Sequence, residues 1–302
     1  MLERKTVGLA PASRFGIIRA LVCAAALASV FFEYLPSFSE VSTHWFSSVG
    51  ALKLFPQNAW NAFLSSPSML LSFQISLTVF LLLAMIGLFT NFTVAISAGL
   101  YFIYVGILRS YGTFFNQGFI VFYLLALMVF LPAGAGFSLD AKRKYFSKTG
   151  NMAPDAAMAW AVFLLRAVIA FSYWQAAWAK LDYAGIYWLE PENLKRILVQ
   201  DNLALLYFNV GFVKQAMHLP NSVWSVLAGT ILFLEFFFPL VLFRWELRRF
   251  YPILIAVMQI IMLFLCPALS LETAVSLVLL LTFYDWDRVL LRHKLPAQDR
   301  RI

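Results

Sequence analysis

Apolar residues run in long blocks along this chain, separated by short polar gaps. A helix that crosses a bilayer needs about 20 predominantly apolar residues. Eight stretches reach or approach that length: 16–36, 68–89, 91–108, 113–132, 156–179, 222–243, 250–268 and 270–284. The last is short and begins beside Glu272. Two further stretches are apolar but interrupted. Residues 44–66 mix Trp45, Phe46, Leu52, Phe55, Trp60 and Phe63 with His44, Lys53 and Asn58, and residues 202–219 carry Asn202, Asn209, Lys214 and His218. Such segments predict interfacial amphipathic helices or shallow re-entrant pieces. The first block is longer than a signal-peptide core, and Glu33-Tyr34 follows it in place of a small-residue cleavage site, so it reads as a mature helix. The expectation is an all-α, polytopic transmembrane helix bundle of about eight spans. It forms one integral-membrane domain over residues 1–302, with its core at about 15–287 and no separate soluble domain.

Composition supports that reading. Of 302 residues, 62% are hydrophobic, 13% are charged and 31 are Phe. The hydrophobic share of ordinary globular domains is about 45–50%. A water-soluble fold of this size could not hide the excess, because surface shrinks too slowly relative to volume. Disorder is excluded on the same grounds.

The net charge of +8 changes the picture only in orientation. The cations lie in gaps between apolar blocks rather than on a polar face, which argues against nucleic-acid binding. There they can set topology or touch anionic lipid headgroups. With the N-terminus inside, the inner segments hold Arg4, Lys5, Arg14, Lys142, Arg143, Lys144, Lys148, Arg244, Arg248, Arg249, Arg288, Arg292, Lys294, Arg300 and Arg301, which is 15 cations. The outer segments hold Lys53, Arg109, Lys180, Lys195, Arg196 and Lys214, which is 6. Cytoplasmic loops carry the excess of Lys and Arg. Both termini are therefore expected to be cytoplasmic, and segment 180–221 to face outward, into the periplasm if this is a bacterial inner (plasma) membrane.

Ionisable groups at bilayer depth need a partner or a wet cavity. Counted along their spans, Arg166, Glu235 and Gln259 reach one level. The expectation is an Arg166–Glu235 ion pair with Gln259 close by, acting either as a clamp between helices or as the floor of a ligand cavity. Nearer the outer surface, Glu33 and Arg109 read as interfacial anchors. Lys180 follows Tyr173-Trp174-Gln175-Ala176-Ala177-Trp178-Ala179 and precedes Leu181-Asp182. A lysine on an aromatic, partly dehydrated wall loses preference for its charged form, and a neutral amine can act as a base or nucleophile. From spacing alone, a Lys at a helix end that snorkels to the interface is the simpler reading.

The string Leu165-Arg166, Tyr173, Ala176, Lys180-Leu181-Asp182 and then Trp188 resembles the membrane domain of vitamin K-dependent gamma-carboxylases. It is also similar to the wider bacterial HTTM (horizontally transferred transmembrane) group. Ser138-Leu139-Asp140-Ala141 resembles that family's motif before the corresponding helix, and Glu235, Pro239, Arg248 and Arg249 resemble its E…P…R pattern. The resemblance runs over residues 15–287. It implies Lys180, beside Asp182, as the base in chemistry on a quinone or hydroquinone, with Arg166, Tyr173 and Glu235 at the cofactor. Gln259, which counts to the same level as Arg166 and Glu235, is expected at the same pocket. The chain departs from the carboxylase in three ways. No large lumenal domain follows the helices. Met258-Gln259 stands where a His is usual, and Gln cannot take up a proton at neutral pH. The Lys-to-Trp spacing is also longer.

Other chemistries find no pattern. His44, His218 and His293 are widely separated, and no metal-binding spacing occurs. No phosphate-cradling glycine loop and no serine nucleophile elbow is present. Cys23 and Cys266 stand alone within apolar blocks and read as packing residues. No inverted repeat suggests a transporter. Two functions remain. One is an enzyme-like membrane protein that binds or acts on a quinone or isoprenoid lipid at an outward-facing pocket. The other is a non-enzymatic accessory for maturation or export of a secreted peptide, docking a membrane partner through 44–66 and 180–221.

Overall fold

A computed structural model describes residues 10–111, 116–146, 156–204, 210–265 and 270–286. The basic tail beyond residue 286 and Cys266 lie outside them. Among the described residues there is no β-strand. In lipid the backbone has no water to bond, so helices that satisfy their own amides are the natural solution for these apolar blocks. The chain runs through α1 (Ala12–Phe32), three 3₁₀ turns (Leu35–Glu40, Thr43–Trp45, Gly50–Leu54), α2 (Gln57–Leu64), α3 (Pro67–Ile86), α4 (Thr90–Ser110), α5 (Asn116–Val129) and α6 (Leu139–Phe146). It continues through α7 (Ala156–Ala184), a 3₁₀ turn (Gly185–Leu189), α8 (Pro191–Ala204), α9 (Val210–Met217), α10 (Asn221–Phe237), α11 (Leu240–Phe243), α12 (Trp245–Leu265), α13 (Ser270–Leu280) and a last 3₁₀ turn (Leu281–Phe283).

Each of the eight apolar blocks coincides with a helix: α1, α3, α4, α5, α7, α10, α12 and α13. Four are long and apolar enough to cross a membrane: α1, α3, α4 and α7 with its following turn. The apolar part of α5, Gly118–Val129, is shorter, as are α10 and the stretch Leu271–Phe283. On α3, Met69, Ile75, Val79, Leu82 and Ile86 are exposed on apolar faces, which fits a lipid environment rather than water. The described parts of both interrupted segments lie in short helices and turns.

The chain divides into two compact units, residues 1–165 with 284–302, and residues 166–283. In the first, α1 packs against α3 and α5, and α4 packs against both α3 and α5. Helix α1 meets the loop before α6 with almost no side-chain space. A Cβ on Gly16 would lie 1.9 Å from the Gly136 carbonyl oxygen, and one on Gly136 would lie 2.2 Å from the backbone of Ala12. Several polar groups inside this unit are paired, whereas the Ser97 and Tyr111 hydroxyls are buried without a hydrogen-bond partner. Tyr101 and Ser29 share a hydrogen bond of 2.7 Å, and the Tyr104 hydroxyl donates to the Ser29 carbonyl at 2.8 Å. Gln74 of α3 donates to the Val30 and Glu33 carbonyls at 2.8 and 2.9 Å and accepts from the Leu35 N–H at 3.1 Å, capping the end of α1.

Arg19 is wholly buried in the first unit. Its guanidinium donates to the carbonyls of Ala133, of Phe137 at 2.8 Å and of Met85 at 3.4 Å. The planar fork of donors suits several carbonyls at once. Beside it, Asp140 accepts from the Phe89 N–H at 3.0 Å and from the Thr90 N–H and hydroxyl at 2.7 Å each, capping the first turn of α4. Burial pushes this carboxyl up, but those hydrogen bonds and the nearby Arg143 outweigh it and hold its pKa below the ordinary value. Phe89 and Phe137 flank this knot with left-handed backbones, φ 47° each. Such a conformation costs a non-glycine residue about 1–3 kcal/mol and persists only where its surroundings fix it.

In the second unit, helices pack along seams of small and apolar residues. α7 buries Ile169, Ala170, Tyr173 and Ala177, and α10 buries Trp224, Ala228 and Ile231. These steps of three and four residues mark one helix face. α8 lies along α10, tied where Lys195 donates to Asn221 at 2.7 Å and to Glu192 at 3.1 Å. Arg248 of α12 donates to the Leu242 carbonyl at 3.2 Å, closing the end of α11.

Candidate functional site

Three charged residues lie on or beside the seams of the second unit. Arg166 and Glu235 are 2% and 6% exposed, and Lys180 is partly buried. Lys180 continues the α7 face, seven residues beyond Tyr173, and Glu235 continues the α10 face, four beyond Ile231. The two meet: Lys180 Nζ donates to Glu235 Oε2 at 2.5 Å. The side chains are 21% and 8% exposed, so the pair is shielded from solvent on most sides.

This corrects the expected Arg166–Glu235 pair. Arg166 lies fourteen residues before Lys180, or about 21 Å lower along the helix at 1.5 Å per residue. Its Nε donates to the Thr282 carbonyl at 2.9 Å, at the end of the apolar stretch that follows α13. Depth counted from helix ends misleads because the ends are not level: α10 stops at Phe237, two residues past Glu235, and Pro239 follows. Lys180 lies four residues before the end of α7 at Ala184, and Glu235 two before the end of α10 at Phe237, so the pair joins the last turns of the two helices.

Gly185 ends α7 with a left-handed backbone, φ 58°, a conformation in which a Cβ is strained. The turn brings Trp188 back over the pair, with Lys180 Nζ 5.6 Å from its ring centroid. A cation over an indole face gains from the ring quadrupole. The buried Trp188 Nε1 has no hydrogen-bond partner in the protein.

Two turns below Lys180, Tyr173 packs edge-on against Phe238, with centroids 5.0 Å apart. Its hydroxyl faces Gln259 of α12 and Ser276 of α13, near enough to interact but without the geometry of a hydrogen bond, and it feels the charge of Glu235. The Ser276 and Thr273 hydroxyls of α13 are likewise buried without a partner. Buried hydroxyls that lack protein partners are suited to ordered water or to polar groups of a ligand. Gln259 thus lies beside Tyr173 rather than beside the Arg166–Glu235 pair that the sequence led one to expect. Asp182 does not join it. Two residues beyond Lys180 on a helix, it lies on another face and is exposed.

The assembly is thus a buried acid–amine pair under an indole, with a cluster of hydroxyls and an amide beneath. An acid and an amine in contact can hold one proton on either partner at the same net charge. Glu235 was expected in the site, but beside Arg166 rather than Lys180, and Trp188 entered only through the family resemblance and not as a site residue. The signal for Lys180 was present, since positions 166, 170, 173, 177 and 180 share one helical face. No family model, curated protein or solved structure matches this chain.

Proposed function

We propose that this is an integral membrane protein of eight spans with both ends in the cytoplasm, of the HTTM and gamma-carboxylase-like kind, that binds or acts on a quinone or isoprenoid lipid. Lys180 is the base, and it works with Glu235. A bacterial inner membrane is the setting in this reading. The ion pair between Arg14 at the start of α1 and Asp285 near the other end, 3.2 Å apart, supports an even number of spans with both ends on one side.

The observation that carries the proposal is the Lys180–Glu235 pair within an apolar unit. Charges shielded inside an apolar unit that lies in a bilayer are costly and mark functional positions by default. When the proton rests on Glu235, the Lys180 amine has a free lone pair and can accept a proton from a bound hydroxyl or activated C–H. Tyr173, Gln259 and Ser276 then offer hydrogen bonds to the oxygens of a ring bound alongside. The test uses a short-chain menaquinone added to purified protein. Wild type is expected to shift the quinone absorbance, and Lys180→Ala and Glu235→Gln to abolish the shift while eluting as folded protein. An unaltered shift in Lys180→Ala rejects the role.

A second reading, a non-enzymatic accessory for a secreted peptide, is supported by one feature. Tyr183, Ile186 and Tyr187 are strongly exposed just past the site. Under that reading a second polypeptide co-purifies with the chain, and the quinone shift is absent in wild type.

A further inference from the structure

The knot around Arg19 and Asp140 has a consequence on the surface of the first unit. It fixes two phenylalanines in left-handed backbone conformations, and both rings face outward: Phe89 is 64% exposed and Phe137 60%. A glycine or asparagine would adopt this backbone with less strain, so the turn itself does not call for rings. Phe92, one turn into α4, is exposed as well. Basic groups stand among them. The Arg143 guanidinium lies 5.7 Å from the centroid of the Phe89 ring, and Lys142 is exposed beside it on α6. The nearest acid, Asp140, has its oxygens engaged by Phe89 and Thr90, so it does not cancel these cations at the surface.

We propose that this rim is a binding site for anionic phospholipid: the Phe89, Phe92 and Phe137 rings lie against the acyl chains and glycerol, and Lys142 and Arg143 hold the phosphate. Charge complementarity selects the occupant. A neutral bilayer would satisfy the rings alone, and a soluble anion would satisfy the cations alone. Only an anionic lipid uses both, and a guanidinium already resting on a ring presents its N–H groups to a phosphate at the ring's edge. The site is independent of the Lys180–Glu235 pair.

The test is lipid retention. Protein purified in a neutral detergent is mixed with phosphatidylglycerol or with phosphatidylcholine of the same chains, and bound lipid is counted by native mass spectrometry. Wild type retains phosphatidylglycerol in preference, and the variant carrying Lys142→Ala and Arg143→Ala loses that preference by on the order of tenfold. Salt at about 0.5 M weakens it in wild type, because exposed charges are screened. Phe137→Asn, whose side chain suits the left-handed backbone, retains less of the lipid without unfolding earlier. Equal retention of both lipids by wild type overturns the proposal, as does a preference that survives in the double variant. Glycerol phosphate competing as well as the whole lipid also overturns it, because recognition would then not involve the rings.

Discussion

Neutralising one member of the Lys180–Glu235 pair is expected to damage the fold more than neutralising both. The pair is 2.5 Å across, with side chains 21% and 8% exposed. Opposite charges about 4 Å apart attract by roughly 4 kcal/mol at an effective dielectric of 20. Withdrawing each charge from water costs several kcal/mol. The two sums are of one size, so the intact pair contributes little net stability. Glu235→Leu leaves an ammonium among Trp188, Tyr173 and apolar residues, and Lys180→Met leaves a carboxylate there. Each single change is expected to cost about 3–5 kcal/mol, whereas the double change should be near neutral because packing replaces a compensated pair. The assay is a double-mutant cycle on unfolding in mixed micelles. Single variants as stable as wild type, or losses that simply add in the double variant, would refute the reasoning.

Other expectations follow from the first unit and from the turn after α7. Asp140 has a lowered pKa in the folded chain, so it adds stability above its unfolded pKa of about 4 and loses it as pH falls through the folded value. The unfolding midpoint should drop on acidification below about pH 4, and Asp140→Asn should flatten that drop while costing about 0.5–2 kcal/mol at neutral pH as a lost helix cap. Arg19→Leu leaves the Ala133, Phe137 and Met85 carbonyls unbonded and should cost more than 1.5–3 kcal/mol, roughly the worth of one hydrogen bond to a charged group; Arg19→Lys should rescue little, because an ammonium is a point donor. Gly185→Ala strains a φ of 58° and should lower the unfolding midpoint by roughly the 1 kcal/mol that a left-handed alanine costs; it should also raise the solvent exposure of Trp188, read as a red shift of tryptophan emission.

The helices were legible because an apolar block of this length is best satisfied by a helix that bonds its own amides, and the described part of each of the eight blocks is largely helical. The stretches 44–66 and 202–219 were legible as interrupted, though not as the separate turns and short helices that their described parts form, and the turn at Leu35–Glu40 and helix Pro191–Ala204 were not singled out. Partner choice was not legible. Arg166 and Glu235 share a polarity and an apparent depth, yet which cation meets Glu235 depends on the relative axial shift of α7 and α10. That shift cannot be read from residue counts along either helix. In the sequence Arg19 is only a lone cation inside an apolar block. Its partners are carbonyls of the Ala133–Phe137 loop, and backbone groups leave no mark in a sequence. Asp140 was picked out by resemblance, and its role as the cap of α4 needed the fold.

The most direct test of the central claim is the proton on Glu235. Infrared difference spectra of the purified protein with and without a reduced short-chain menaquinone report the carboxyl C=O stretch. If Lys180 and Glu235 share one proton in the site, wild type gains or loses a protonated-carboxyl band on binding, that band shifts in heavy water, and it is absent in Glu235→Gln. A spectrum with no carboxyl band that changes on binding, or one unchanged in Glu235→Gln, contradicts the account.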